Sequence, residues 1–447
     1  MNQNNDLTQG KVSAKLLGFF FPMLLTNLFQ QIYSVADTAI VGKGLGDNAL
    51  GAVGNLSSLS LLIIGFSMGM TGGFAVIIAQ NYGSGNMRAV RKSIALSVKL
   101  SVIMTVILTI SGCILLKPIL IVMQTDKALI SDGLKYGYII LGGLAATVAY
   151  NLCSSILRSL GDSKTPFIAI IISSAVNIAL DCLFIFIFNT GVESAAAATI
   201  FAQGLSAFIC FIKIKNISNL SFRKEDFNGD KRMYLLLMKN GIPMALMNSI
   251  TASGCMVVQR YVNDCGTECT SAYSACSKYL NLFMLPSLTA GFAISAFVSQ
   301  NYGAGKPRRI RQGIRVCVGI ALVSYLLLGS VMLFLPKQLA GFMLNEYETI
   351  SLTAEYLKIC GGGLILLNLL FVYRNAVQGM GYPFIPMLSG IAEMILRIPA
   401  IILLLPIIGF KATAYAELIA WIGALLLNII GYHHYIYRVN ANVGGHK

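Results

Sequence analysis

Histidine is almost missing from this chain: of 447 residues only His433, His434 and His446 are histidine, all at or beyond the end of the last apolar run. No buried imidazole is therefore on hand as a general base or metal ligand. No Gly-rich loop ends in Lys-Ser or Lys-Thr, so the signature of ATP-driven transport is absent, and no stretch has room for a nucleotide-binding domain. Charge is scarce: Asp, Glu, Lys and Arg make up 11% of the residues against 56% hydrophobic. A chain of that composition cannot cover itself with a soluble globular surface. The ten cysteines lie mostly singly within apolar stretches, where a thiol acts as a small hydrophobe. The close pair Cys265 and Cys269, in CGTEC, lacks histidine partners and makes a poor metal site.

What the chain has is long apolar runs. Hydrocarbon about 30 Å thick takes roughly 20 helical residues per crossing, and runs of that length are helices rather than barrel strands. Spans are expected near 16–41, 50–79, 95–116, 136–157, 166–188, 194–212, 241–262, 272–298, 313–335, 356–373, 385–408 and 412–436. Assigning alternate loops to opposite sides gathers most Lys and Arg on one face, from Lys11 and Arg88 through Arg223, Arg308, Arg374 and Arg438. The other face receives only Lys43, Lys117, Lys127, Lys135, Lys337 and Lys411. That bias predicts a multi-pass protein of the cytoplasmic membrane with both termini in the cytoplasm. The net charge of +15 then reflects anchoring loops, and no nucleic-acid partner is expected. The polar start, MNQNNDLTQGKVSAK, leads straight into a full span, so no cleavable signal peptide is expected.

The two halves repeat. QNYGSGNMRAVRKSI at 80–94 returns as QNYGAGKPRRIRQGI at 300–314, an offset of 220 residues that also relates Gly161 and Pro166 to Gly381 and Pro386. Pro22, five residues before Asn27, is matched by Pro243, five before Asn248. The expected organisation is a six-helix bundle over 1–215, a cytoplasmic linker over 216–239 read as a solvated loop, and a second bundle over 240–447. Halves with an even number of spans share one orientation and are related by a pseudo-two-fold axis along the membrane normal. QNYGSG could cradle a phosphate, but its repetition at membrane exits reads better as a helix-end turn.

Few groups inside the spans carry chemistry. Asn177 and Asp181 lie four residues apart on one helix face, and a second acid, Asp37, sits near the end of the first run. An ionisable group at that depth faces a cavity, an ion or a proton path, unless it is merely a protonated carboxyl bonded to a neighbouring helix. Counting along the helices places Asp37, Asp181 and Thr199 at similar depth, with Asn151 deeper in its own span. Carboxylates, an amide and a hydroxyl are hard oxygen ligands suited to Na⁺, and the carboxylates can also carry H⁺. The second half puts Val258, Arg397 and Ile401 at the positions of Asp37, Asn177 and Asp181, so the acid site is not duplicated. It holds Glu393 and Arg397 instead, which read as a structural ion pair. Glu417, Arg260 and Lys278 fall near outer helix ends, where they could snorkel. Pro22 and Pro243 either are tolerated as membrane prolines or act as a matched pair of hinges.

With ADTAIVGKGLGDNALGAVG after the first helix, the doubled QNYG-x-G, RSLGDSKTP and VNIALD, the chain resembles a multidrug and toxic compound extrusion (MATE) transporter. The resemblance runs over essentially the whole chain. It implies an all-α membrane protein of twelve helices in two bundles, with no enzymatic activity and no cofactor, exporting organic, cationic or amphipathic compounds against inward Na⁺ or H⁺ as a monomer. Resemblance to the DinF-type branch implies a cation site at Asp37, Asn177, Asp181 and Thr199, with Asn151 nearby. The acid that the NorM type carries in the seventh helix is missing from IPMALMNSITASG, which leaves a second-half cation site without support. A flippase for lipid-linked oligosaccharides shares the helix plan but would be expected to have a more cationic cavity, and a lipid-modifying membrane enzyme would need a polar cluster at a membrane face.

Overall fold

The computed structural model describes residues 6–122, 127–188, 190–217, 220–228 and 230–444. Among them there are helices and turns but no strand. Ten helices are long and apolar enough to cross a membrane: α1 (Val12–Gly46), α2 (Leu62–Gly83), α3 (Met87–Ile121), α5 (Lys164–Ile187), α6 (Val192–Lys215), α7 (Lys231–Asn263), α9 (Pro307–Phe334), α10 (Tyr347–Gly379), α11 (Phe384–Ile408) and α12 (Lys411–Tyr437). Two bent pairs complete the expected twelve: α4 (Ile130–Gly142 with Leu144–Ser159, 44°) and α8 (Thr267–Phe283 with Leu285–Gly303, 42°). Pro286 explains the second bend, because a proline lacks the N–H that would continue the first segment's ladder. At the first bend Gly143 meets α6 so closely that a Cβ there would lie 2.1 Å from Ile200 Cδ1.

Helices overrun the apolar stretches. α3 begins at Met87, so its basic first turns stay helical outside the hydrocarbon. Further along, Val102, Ile103, Val106, Ile107, Ile110 and Ile114 are all exposed, an apolar stripe of the kind that lipid tails cover.

The chain forms two compact units. One holds Phe21–Ala245, and the other Leu7–Phe20 with Leu246–Lys447. Membership therefore changes inside α1 beside Pro22 and inside α7 beside Pro243. The first unit packs Phe74, Ile78, Leu96, Ile156, Leu157 and Leu237 into its core. The second packs Val262, Cys276, Tyr356, Leu364, Ile401 and Trp421. Within the first unit, α2 meets the start of α7 backbone to backbone: a Cβ on Gly69 would lie 2.5 Å from Ala245 Cα, and one on Gly73 would lie 2.4 Å from Asn240 O. This Gly-xxx-Gly spacing is how membrane helices gain contact when no hydrophobic force separates them from lipid.

The repeated motifs fold as repeated turns. In QNYGSGN, Gly85 (φ 76°) lets Asn86 N–H reach Asn81 O at 3.2 Å; in QNYGAGK, Gly305 (φ 65°) lets Lys306 N–H reach Asn301 O at 2.9 Å. Gly161 and Gly381, both at φ 86°, close the second repeated turn. A left-handed residue followed by this six-to-one bond is a helix C-cap, so QNYG-x-G is a helix-end turn and not a phosphate cradle. After it, Asp162 starts α5 by accepting from the Lys164 and Thr165 N–H groups, each at 3.0 Å.

The linker is not a loosely solvated loop. Leu220 is buried, Asp226 pairs with Arg91 at 3.4 Å, Asp230 pairs with Lys92 at 3.1 Å, and Lys99 Nζ donates to Phe227 O. Beside Asp230 the Lys92 ammonium holds the carboxyl below its ordinary range. The other lead-in segment is held in the same manner, within the second unit: Lys306 donates to Thr8 O at 2.9 Å and Arg309 to Gly10 O at 2.8 Å. Charge counting alone leaves such basic residues as solvated anchors; here their carbonyl and carboxylate partners hold the start of a helix.

Candidate functional site

In the first unit α5 carries Asn177 and Asp181 one turn apart, facing inward and wholly buried. With its amide oriented as its neighbours require, Asn177 Nδ2 donates to Asp181 Oδ2 at 3.0 Å and its Oδ1 accepts from the Thr199 N–H of α6 at 3.2 Å. Directly after Asp181 the helix widens into a π-turn, Leu183–Ile187. Such turns displace the ladder locally and recur at functional sites. Asp37 of α1 completes the set, its carboxyl against that of Asp181 within hydrogen-bond reach. One oxygen of each, Asp37 Oδ1 and Asp181 Oδ1, is buried without a donor. Neither carboxyl has a Lys or Arg partner among the described residues.

Two apposed carboxyls with unsatisfied oxygens in a medium of low dielectric repel unless a cation or proton lies between them. The donor set available is two carboxylates and an amide, with a threonine on the facing helix. All are hard oxygens, so the residues fit Na⁺ or H⁺.

The structure brings Asp37, Asn177, Asp181 and Thr199 together. It does not join Asn151 to them: its Nδ2 is buried without an acceptor, and no hydrogen bond links it to either acid. Sequence reading missed Tyr33, which lies beside Thr199 and within electrostatic reach of both acids, and Tyr136 of α4, also within that reach. The signal was present for Tyr33, four residues before Asp37 and hence on the same helix face. Along α1 and α5, beginning a turn before the acids, a cavity of about 130 Å³ is lined by Gln30, Tyr33, Ser173, Ser174 and Gln203, with Ile170 and Ala202. Gln203 Oε1 is one more buried acceptor without a donor.

The second unit answers with full charges. Glu393 of α11 pairs with Arg374 of α10 and lies 3.7 Å from Arg397, whose other partner is Glu417 of α12 at 2.9 Å. All four are buried. Arg374 is thus not a loop residue of the basic face, and Glu417 does not snorkel. Each reaches a partner that lies on a different helix, which sequence distance cannot reveal.

The MatE family profile matches residues 22–183 and again 243–403, one match for each half. The chain belongs to the MatE family. Among relatives of this MATE chain, "Probable multidrug resistance protein YpnP" of Bacillus subtilis (strain 168) is 28% identical over 398 residues, 88% of either chain. A protein named "FAD transporter" from Shewanella oneidensis is 23% identical over 409 residues, covering 89% of this chain and 88% of that one. Among solved structures, MATE in the bent conformation superposes with a TM-score of 0.92 at 19% identity, over 99% of this chain and 100% of that chain. An outward-facing multidrug resistance MATE transporter of the MOP superfamily gives 0.89 at 20% identity, over 99% of both. This chain therefore has the MATE fold.

Proposed function

We propose that the protein is a secondary active antiporter of the cytoplasmic membrane, both termini inside, that exports organic, cationic or amphipathic compounds in exchange for Na⁺ or H⁺. The observation that carries this reading is the buried Asp37–Asp181 pair, with an unsatisfied oxygen on each acid and no basic partner among the described residues. Multidrug resistance names among its relatives support the substrate class. In this reading Asp37, Asn177, Asp181 and Thr199 hold the cation, as in the DinF-type branch, and Asn151 acts from further off. The cation relieves the repulsion between the acids and allows α1 to bend at Pro22, with Pro243 as the matching hinge in α7. Coupling requires that cation and cargo favour different states, since a ligand that binds both equally shifts nothing. The protein works as a monomer, without cofactor or nucleic acid, and carries no enzymatic activity. Glu393 and Arg397 serve structure rather than coupling.

Asp181→Asn tests it. The amide keeps the shape and loses the charge, so ion-driven dye uptake into inverted vesicles, which corresponds to efflux from cells, should disappear while protein remains in the membrane. Near-normal efflux would reduce Asp181 to a structural role. The flavin dinucleotide belongs in the same substrate panel, given the relative that is named for it.

A further inference from the structure

The buried charges of the two units differ in kind, and the repeat says how. At the shared offset of 220 residues, Arg397 stands where the first unit has Asn177, Glu393 where it has Ser173, and Arg374 where it has Ser154. Val258 and Ile401 replace the two acids, and the carboxylates of the second unit come from Glu393 and Glu417 instead. At the repeated site, therefore, Asp37 and Asp181 have no Lys or Arg partner among the described residues, whereas Glu393 and Glu417 share the guanidinium groups of Arg374 and Arg397. In the second unit Arg397 Nη2 lies between the acids, 2.9 Å from Glu417 Oε2 and 3.7 Å from Glu393 Oε2. Its side chain comes to within 3.4 Å of where a Cβ on Gly254 would sit, and Nη1 approaches Cys255 Sγ at 3.7 Å, so the charge is wedged against α7 as well.

We infer that the Arg397 guanidinium is a tethered cation: it fills, in the second unit, the place that a dissociable cation takes in the first, and it keeps that unit in a cation-filled arrangement at all times. Ions then act on the first unit alone. A covalently held charge has no concentration dependence and cannot leave, so this half contributes no exchange step. The inference rests on the cation reading of the first unit and adds a role for its repeat. A plain structural ion pair would make no cation site when Arg397 is shortened. A tethered cation would: removing it leaves Glu393 and Glu417 facing a space shaped for a monovalent planar cation.

The full-length protein is purified with Asp37→Asn and Asp181→Asn, which removes the first site, and its melting temperature is followed against methylguanidinium and Na⁺, with choline as control. This parent should show no cation response. Adding Arg397→Ala should create a saturable response to methylguanidinium, at tenfold excess over its dissociation constant amounting to about a tenfold shift of the folding equilibrium. A further Glu417→Gln should abolish it. If Arg397→Ala is not recovered from membranes, Arg397→Gln, which restores an amide like that of Asn177, is titrated in its place and should gain the same response. No response in either shortened variant, or a response that survives Glu417→Gln, overturns the inference. Loss of the coupling reading is seen separately, as ion-independent efflux by the unmutated protein.

Discussion

Replacing Glu417 by glutamine should cost far more than its formal change suggests. In the folded protein Glu417 is 7% exposed and its partner Arg397 3% exposed, at 2.9 Å. The substitution keeps the size and removes the charge, leaving two buried guanidinium groups to share the single carboxylate of Glu393, with Arg397 at 3.7 Å from it. Breaking a buried pair by taking away one partner costs about 3–5 kcal/mol, since the remaining charge stays desolvated. A matched control is close by: Glu355 pairs with Lys411 at 3.1 Å with side chains 44% and 47% exposed. An exposed pair of that kind is worth about 0–1 kcal/mol. Thermal unfolding of the two purified variants, checked by protease sensitivity, should show a clear drop for Glu417→Gln and little change for Glu355→Gln. Equal effects would refute the argument that the second unit's charges are a desolvated, mutually dependent set.

Gly73→Leu should prevent a stable protein from accumulating: its Cβ alone would sit 2.4 Å from Asn240 O, and backbone cannot yield as a side-chain tip does, so the cost exceeds the usual 1–3 kcal/mol of overpacking. Gly85→Ala, at φ 76° with open space around it, should cost only about 1 kcal/mol; quantifying both in membranes separates packing from backbone strain. The linker should loosen in acid. Asp230 has a folded pKa below its ordinary value because of Lys92, so its contribution is present above that ordinary value and is lost as pH falls through the folded one. Limited proteolysis at 220–230 should therefore rise at low pH in the parent, and Asp230→Asn should remove that part of the dependence.

The spans, the repeat and the grouping of Asp37, Asn177, Asp181 and Thr199 were readable because each follows from a simple rule: apolar length, self-similarity at one offset, and i, i+4 spacing for Asn177 and Asp181 with depth counted along the helices for Asp37 and Thr199. Pro22 and Pro243 drew attention as a matched pair, and the units exchange chain beside them. The misses share a cause. Arg374 and Glu417 looked like loop and surface charges since their partners are 19 and 20 residues away on other helices. The docking of the linker leaves no mark in the sequence because Arg91, Lys92 and Lys99 lie more than a hundred residues before the groups they hold. The π-turn after Asp181 has no sequence signal, and neither does the polar cavity near it, whose lining is brought together from α1, α5 and α6.

The claim on which the functional account turns is that cation and cargo bind to opposing states through Asp37 and Asp181. Cargo affinity should be measured on purified protein against rising Na⁺ at fixed pH, and then against falling pH without Na⁺. One of these cations should weaken cargo binding, by linkage the cargo should weaken binding of that cation by the same factor, and the effect should vanish in the Asp37→Asn/Asp181→Asn protein. Cargo binding indifferent to both cations, or cation sensitivity that persists without the two acids, would contradict it.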